Sequence, residues 1–232
     1  MDEIKNILER YERRNSLPQN MYDPASPWMI MIEQEKERKL IKLLKRNGFF
    51  PFQDKKLIEI GCGFGRSLLM FQKMGFETKN LTAIELIEQR YLKAKEVLSS
   101  SITLLLSDAS EVELPNNQYD IGFQSMLFSS ILDDNLRKKM AERLFSIIKP
   151  GGSILWYDFI VNNPYNIEIR KINPKELRKL FPKGEIQILQ LTFARPLARI
   201  IAKEYQSLYT IFNRLSILRS HILCLIKKNL KE

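Results

Sequence analysis

From Leu57 onward, short apolar runs alternate with stretches whose apolar residues recur every three or four positions. That alternation predicts strands at 57–60, 81–84, 102–106, 119–124, 152–159, 185–194 and 221–227, joined by helices. Between the first two strands, RSLLMFQKMG reads as a helix closed by Gly75; before the third, EQRYLKAKEVL carries Tyr91, Ala94 and Leu98 at helical spacing. A further helix runs from Asp134 to Ile148 and is stopped by KPGG at 149–152, because proline and two glycines disfavour its continuation. Strands alternating with helices imply an α/β fold with a mostly parallel sheet.

The first 56 residues follow another pattern. SPWMIMIEQEKERKLIKLLKRNGFF reads as one long charged helix from about Ser26, ended by Gly48 with Pro51 beyond. Ahead of it, YERRNSLPQNMYDPASP mixes tyrosines, arginines and prolines too irregularly for helix throughout. The expected organisation is an N-terminal helical cap over 1–56 and one domain over 57–232, in which residues 195–220 form a long, lid-like link.

Composition narrows the setting. A chain of 232 residues that is 44% hydrophobic can bury one sizeable core. MDEIKNILER lacks the apolar core of a signal peptide and no run approaches a membrane span, so a soluble, cytoplasmic protein is expected. Cys62 and Cys224 are far apart and suggest neither a disulfide framework nor a metal cluster. No His, Cys and carboxylate set with ligand spacing is visible, so no metal is expected. Of the net charge of +10, residues 167–232 hold +9 (14 Lys/Arg less 5 Asp/Glu). This basic third fits a solvated face, an anionic acceptor, peripheral contact with an anionic membrane surface, or nucleic acid.

The chemistry starts at LIEIGCGFGRS, where a strand runs into Gly61, Gly63 and Gly65 ahead of a helix. Glycines let a ligand approach the backbone closely, and the helix N-terminus offers unpaired N–H groups. Arg66 stands where a dinucleotide motif would need a third-spaced glycine. Glu59 precedes the glycines, and Glu85 ends the second strand twenty positions after Gly65, where a ribose-binding carboxylate belongs.

On these residues the chain resembles the class I S-adenosylmethionine-dependent methyltransferases, over about residues 55 to 160. LIEIGCGFG looks like their first motif, and Glu85 in LTAIEL looks like their second-strand acid. Asp108 with Ala109 in LLLSDASEVELP, Asp120 in QYDIGFQSMLFSSI and the turn in IIKPGGSILWYD match later landmarks in order. The resemblance implies a Rossmann-like seven-stranded sheet with an antiparallel last strand, and S-adenosylmethionine as cofactor. Glu85 would bind both ribose hydroxyls, Leu86 would pack on adenine and Asp108 would face its amino group. Glu59 would lie near the ammonium, and Gln124, at the end of strand four, joins the cofactor-binding set.

The acceptor is read less directly. Ligands of open α/β sheets bind at the carboxyl ends of the strands. Asp158 ends strand five and His221, the only histidine, starts strand seven, which makes both candidate bases. Tyr11 and Arg14 in YERR, Asn162 and Asn163 in NNPY, and Arg195 and Arg199 in the link are candidate acceptor-binding residues, the cations suiting a phosphate or carboxylate. NNPY follows strand five rather than four and lacks a second proline, so it does not match the N-P-P-Y loop of base-methylating enzymes. Tyr205, Tyr209 and Phe212, spaced with Leu197, Ile201, Leu208 and Leu215, read as a buried helix stripe rather than a base-stacking platform. In layout, including YERRNSLP and ILRSHILCLIKK, the chain looks like bacterial methyltransferases associated with surface-polysaccharide biosynthesis. The expected reaction is O-methylation of a sugar or phosphorylated glycan precursor; an RNA methyltransferase and a non-catalytic, ligand-binding partner subunit are the alternatives.

Overall fold

The computed structural model describes residues 3–15, 23–162 and 167–230. One sheet contains β1 (Leu57–Ile60), β2 (Leu81–Glu85), β3 (Thr103–Leu106), β4 (Tyr119–Ser125), β5 (Ile148–Phe159), β6 (Glu185–Phe193) and β7 (Arg219–Lys227). The helices are α1 (Glu3–Asn15), α2 (Pro27–Arg46), α3 (Arg66–Met74), α4 (Glu88–Val97), α5 (Asp134–Ile147), α6 (Pro174–Leu180), α7 (Arg195–Glu204) and α8 (Gln206–Phe212). The strand order is β3-β2-β1-β4-β5-β7-β6, with β7 antiparallel to both neighbours. This is the expected Rossmann-like α/β sheet.

Most elements fall where the patterning puts them, and the exceptions have local causes. Helix α5 ends at Ile147, ahead of Pro150, yet β5 starts at Ile148 rather than 152. The KPGG turn is taken up as an irregularity in the ladder: Tyr119 pairs with Ile148, then Ile121 with Ser153. A side chain at Gly152 would bring its Cβ to 2.8 Å from the Asp120 carbonyl, so only glycine lets the strands approach there. Asp120 secures the same corner by accepting from the Lys56 amide at 2.8 Å and pairing with Lys149 at 2.8 Å.

Alternation along the strands divides the core into two layers. On one face Ile58, Ile60, Ile154, Trp156, Ile222 and Cys224 pack with Met140, Ala141 and Leu144 of α5 and Ile7 of α1. On the other, Leu57, Leu81, Phe123, Leu155 and Leu223 pack with Phe71 of α3 and with Leu40, Leu43 and Leu44 of α2. Helix α2 is therefore part of the sandwich, and no packing boundary coincides with residue 56.

The N-terminal half of α2 meets the 195–220 link through a third cluster, in which Trp28 and Ile32 pack with Phe193, Ala198, Ala202 and Tyr209. Here the expected buried stripe is corrected. Tyr209 is buried, but Leu197, Tyr205, Leu208 and Leu215 are 41%, 62%, 37% and 52% exposed. The reason is a break: Tyr205 leaves helical geometry at φ −134 and ψ 75, so α7 and α8 do not share one 3.6-residue period. Helix α7 buries Ala198 and Ala202 against α2, with Ile201 partly buried beside them, and turns Leu197 and Ile200 outward, while Phe212 of α8 also packs on the cluster.

Strand order reverses between β1 and β4, both of which start their ladders in the middle of the sheet. In such a sheet the crevice beyond the carboxyl ends at this switch point is where ligands bind. Because β7 is antiparallel, its first residues reach the same edge, with His221 opposite Phe159 of β5 and Leu191 of β6.

Candidate active site

The half of the crevice above β1 to β3 is a backbone cradle. Gly61, Gly63 and Gly65 have φ of +69, +58 and +77, a left-handed turn that carries the chain from β1 directly into α3. A Cβ at Gly61 or Gly65 would come to 2.9 Å from Leu127 or Leu98, whereas at Gly63 nothing lies within 4 Å, so the loop is open on that side. The Glu85 carboxylate accepts from the Gly63 amide at 2.7 Å and the Ile87 amide at 2.9 Å, tying the loop to the end of β2. A carboxylate has about four acceptor positions, so about two remain for a diol.

Glu59 is buried one turn behind this loop. Burial pushes its carboxyl up to about 8, against the opposing pull of Ser67 and Lys36 and with a further push from Glu85. Its Oε2 is buried and has no partner. An open glycine loop, a carboxylate with acceptor positions its amide partners do not use and a buried acid with an unpartnered oxygen are together what a ribose-bearing amino acid conjugate needs. Asp108 Oδ1 accepts from the Ser110 amide at 2.8 Å, and Leu86 and Ala109 are half-buried beside it at the edge of the core. Gln124 acts one step back: its Oε1 accepts from the Leu127 amide at 3.1 Å, holding the side chain that Gly61 makes room for.

Helix α1 lies across this crevice. Arg10 is buried and donates to the Ser130 carbonyl at 3.0 Å, while Glu3 pairs with Arg10 at 2.7 Å and accepts from the Leu132 amide at 2.9 Å. The Tyr11 ring carries two guanidinium groups, Arg14 at 4.7 Å and Arg90 at 4.2 Å, and borders a cavity of about 230 Å³ with Phe64 and Ile87. Arg14 also pairs with Glu168 at 3.5 Å. Tyr11 and Arg14 thus border the glycine-loop side of the crevice, and the Tyr11 hydroxyl also donates to Ser130 Oγ at 3.4 Å in the turn after β4. Arg90, whose spacing from Tyr11 gives no sequence signal, is the residue that joins them to the glycine loop.

The two candidate bases separate. Asp158 is fully buried on the α5 face, where its oxygens accept from the amides of Ser129 at 3.1 Å and Phe159 at 2.9 Å. Burial pushes it up to about 6, and those amides hold it down. It clamps the turn after β4. His221 points to the opposite, α2 face, since its register partner is Phe159 and that of Asp158 is Ile222. The two therefore do not form an acid–base pair.

Around His221 the chain gathers groups from five elements. Its ring stacks on Tyr157 at 5.0 Å and meets Phe159 at 4.2 Å. Burial, then Arg195, then Lys36 of α2 hold its pKa well below the usual histidine value, so it is neutral. Ser220 Oγ lies 2.8 Å from His221 Nδ1 and donates to the Thr192 carbonyl at 3.3 Å. A carbonyl only accepts, so the hydroxyl proton points there and Ser220 Oγ accepts from Nδ1–H. That tautomer leaves a lone pair on Nε2, which is buried without a partner. Thr192 organises the network: at φ +67 its amide donates to Glu35 at 3.1 Å and its hydroxyl lies 2.7 Å from Tyr157 Oη. Arg195 reaches into the same space, over Phe159 at 5.1 Å, with Nη2 3.0 Å from Met126 Sδ and Nε buried without a partner.

The other acceptor candidates lie elsewhere. Arg199 is exposed and packs over Trp28 at 5.0 Å. Asn162 accepts from the Lys171 amide at 2.9 Å and closes a loop, and Asn163 falls outside the described residues. Among the described residues no group of three or more His, Cys, Asp or Glu could hold a metal ion, and no helix is long and apolar enough to cross a membrane. Lys36, Thr192 and Ser220 were not foreseen; Thr192 gives no sequence signal, because a β-branched residue at positive φ contradicts its own preference.

Residues 57–152 match the family model of a methyltransferase domain. This segment is a methyltransferase domain. The residues of the cradle fit S-adenosylmethionine, the cofactor that the sequence resemblance implies. No curated protein matches the chain in sequence. Among solved structures, a candidate sarcosine dimethylglycine methyltransferase from Galdieria sulphuraria is 14% identical, with a TM-score of 0.64 over 87% of this chain and 88% of its own. Phosphoethanolamine N-methyltransferase 2 from Haemonchus contortus, in complex with S-adenosyl-L-methionine, is 16% identical, with a TM-score of 0.60 over 83% of this chain and 52% of its own. The [4+2]-cyclase SpnF is 15% identical, with a TM-score of 0.58 over 85% of this chain and 83% of its own. Likeness at this level is likeness of fold, and a fold that includes a cyclase does not choose the acceptor.

Proposed function

We propose that this methyltransferase acts on a hydroxyl group of a small, anionic polar acceptor, a sugar or phosphorylated glycan precursor of surface-polysaccharide biosynthesis being the class in view. The observation that carries this reading is His221: a neutral imidazole whose Nε2 is buried without a partner, with Arg195 and the Glu33-paired Lys36 among the charges that act on it. When bound, S-adenosylmethionine supplies an electrophilic methyl carbon on a sulfonium. Glu85 would hold the ribose, Asp108 the adenine amino group and Glu59 the ammonium.

His221 Nε2 takes the proton of the acceptor hydroxyl, and Arg195 holds the acceptor's anionic group beside it. Asp158 keeps the Ser129 turn in place and takes no proton from the acceptor. A base contributes about 10²–10⁴-fold, and alignment of the oxygen behind the methyl up to about 7–11 kcal/mol. Amine acceptors, as named for two of the structural relatives, fit this pocket less well. An ammonium would enter beside the Arg195 guanidinium, and a neutral amine already has the lone pair that an alcohol gains only on losing its proton.

The test is a methyl-transfer assay against pooled nucleotide sugars, phosphorylated sugars, sarcosine, phosphoethanolamine and total RNA, read by mass spectrometry. A product methylated on oxygen in the sugar pools is expected. Methylated amine or RNA as the sole product would overturn the acceptor assignment, and no product from any pool would favour a ligand-binding subunit.

A further inference from the structure

The 195–220 link presents an apolar surface that the folded chain does not use. Ile217 is 90% exposed, Ile200 72%, Tyr205 62%, Ile211 56%, Leu215 52% and Leu197 41%. Single exposed apolar side chains are ordinary on a soluble protein, but seven large ones within about twenty residues, Leu208 at 37% included, point to an interaction site. They cannot be excused as core residues on the wrong side of a helix. The core side of α7 and α8 is already filled by Ala198, Ala202 and Tyr209 against Trp28 and Phe193.

Charge decides among partners. Between 195 and 220 the sequence has Arg195, Arg199, Lys203, Arg214 and Arg219 against the single acid Glu204, a net of +4. Arg199 on α7 and Arg214 in the turn after α8 are both exposed, as the apolar residues are. A nucleic acid would use the cations and leave the isoleucines in water. A basic helical segment with large aliphatic and aromatic side chains suits the headgroup region of an anionic bilayer. There the cations meet lipid phosphates and the apolar side chains enter the acyl boundary.

We propose that α7, α8 and the turn through Ile217 dock the protein onto an anionic membrane surface, so that the acceptor is met at that surface as the polar head of a lipid. The docking surface and the acceptor pocket are continuous, because α7 begins with Arg195, whose guanidinium lies over Phe159 beside His221. The lipid-borne character of the acceptor rests on the function proposed above; the docking itself does not.

The experiment is co-sedimentation of the full chain with vesicles of phosphatidylcholine alone and of phosphatidylcholine with phosphatidylglycerol, alongside light scattering of the protein in solution. Binding is expected to the anionic vesicles, weakened by salt, and at least tenfold weaker to the neutral ones. The double variant Ile200→Asp with Ile217→Asp should lose at least tenfold in vesicle binding while its circular dichroism and its affinity for S-adenosylmethionine stay unchanged. The pair is chosen because both side chains are in solvent, so the fold does not depend on them. No binding by the native chain, or equal binding by native and variant, overturns the proposal. So does a native dimer that the double variant converts to monomer, since the patch would then be a self-interface. None of these readouts uses methyl transfer, so a failure of the acceptor assignment leaves them intact.

Discussion

The crevice above β1 to β3 and the one above β4 to β7 are built by different means. In the first, charged side chains answer to backbone amides: Glu85 to Ile87 and, across the neighbouring strand end, to Gly63, and Asp108 to Ser110. In the second, side chains answer mostly to distant elements: Glu35 of α2 to Thr192, Thr192 to Tyr157, Ser220 to Thr192 as well as to its neighbour His221, Arg195 to Met126. A ligand held by backbone and local geometry tolerates drift in everything else. An acceptor held by a network across five elements can be changed by substitution at any of them. The contrast explains how one fold accommodates many acceptors while its cofactor half stays recognisable.

The largest expected effect falls on the second crevice. His221→Asn should lower kcat by about 10²–10⁴-fold, the usual contribution of a general base, with the dissociation constant of S-adenosylmethionine unchanged by calorimetry. The mirror result comes from the first crevice. Glu85→Ala should weaken S-adenosylmethionine binding by about 1–3 kcal/mol through the loss of charge-assisted bonds and of its hold on Gly63. If His221→Asn weakened cofactor binding as much as Glu85→Ala did, the two halves would not be separable.

What could be read from the chain follows the same line. The strands were legible because each is a short apolar run. The candidate cofactor residues stand out in the sequence because Glu59, the glycines, Glu85 and Asp108 lie within fifty positions in a fixed order. His221 was found only as the sole histidine, with nothing in its spacing to join it to Lys36 or Ser220. Asp158 was placed at the correct strand end, but a shift of one residue in register reverses the face a side chain meets. The link was misread because a stripe drawn through Tyr205 assumes one helix where there are two.

A pH dependence sharpens the first crevice. The Glu59 carboxyl is raised from 4.5 to about 8 in the folded protein, so between those values the native state holds a proton that the unfolded chain has lost. Stability contributed at this site is therefore present below about 4.5 and falls as pH rises towards 8. The bound ammonium needs the carboxylate, so affinity for S-adenosylmethionine should climb over the same range. Glu59→Gln should flatten both trends, and native and variant curves running parallel from pH 5 to 8 would remove Glu59 from the ammonium site.

A smaller effect is expected at Ser220, and the single histidine makes it directly observable. In untagged, ¹⁵N-histidine-labelled protein, His221 should show the Nδ1–H tautomer, and Ser220→Ala should shift the ring towards Nε2–H. The activity should fall about tenfold, the scale of a lost neutral hydrogen bond of about 1 kcal/mol or somewhat more. Ser220→Thr, which keeps the hydroxyl, should restore both. An Nε2–H ring in the native protein would mean that the lone pair faces Ser220 and that His221 cannot serve as the base.

The smallest effects separate two arginines that the sequence presents as equals, four residues apart on α7. Arg195 has a half-buried guanidinium over Phe159 and an unpartnered Nε, and it is among the charges that depress His221. Arg199 packs on Trp28 at the outer surface. Removing charge at the first should raise the acceptor KM several-fold, since the acceptor's anion loses a bond that a glutamine only partly replaces. Removing it at the second should leave acceptor KM within about twofold, because the side chain does not reach the pocket and exposed charges act weakly through solvent. Cofactor affinity should be unaffected by either. Equal rises in acceptor KM for Arg195→Gln and Arg199→Gln would mean that the pocket senses only the summed charge of the link, and the assignment of the acceptor's anion to Arg195 would fall.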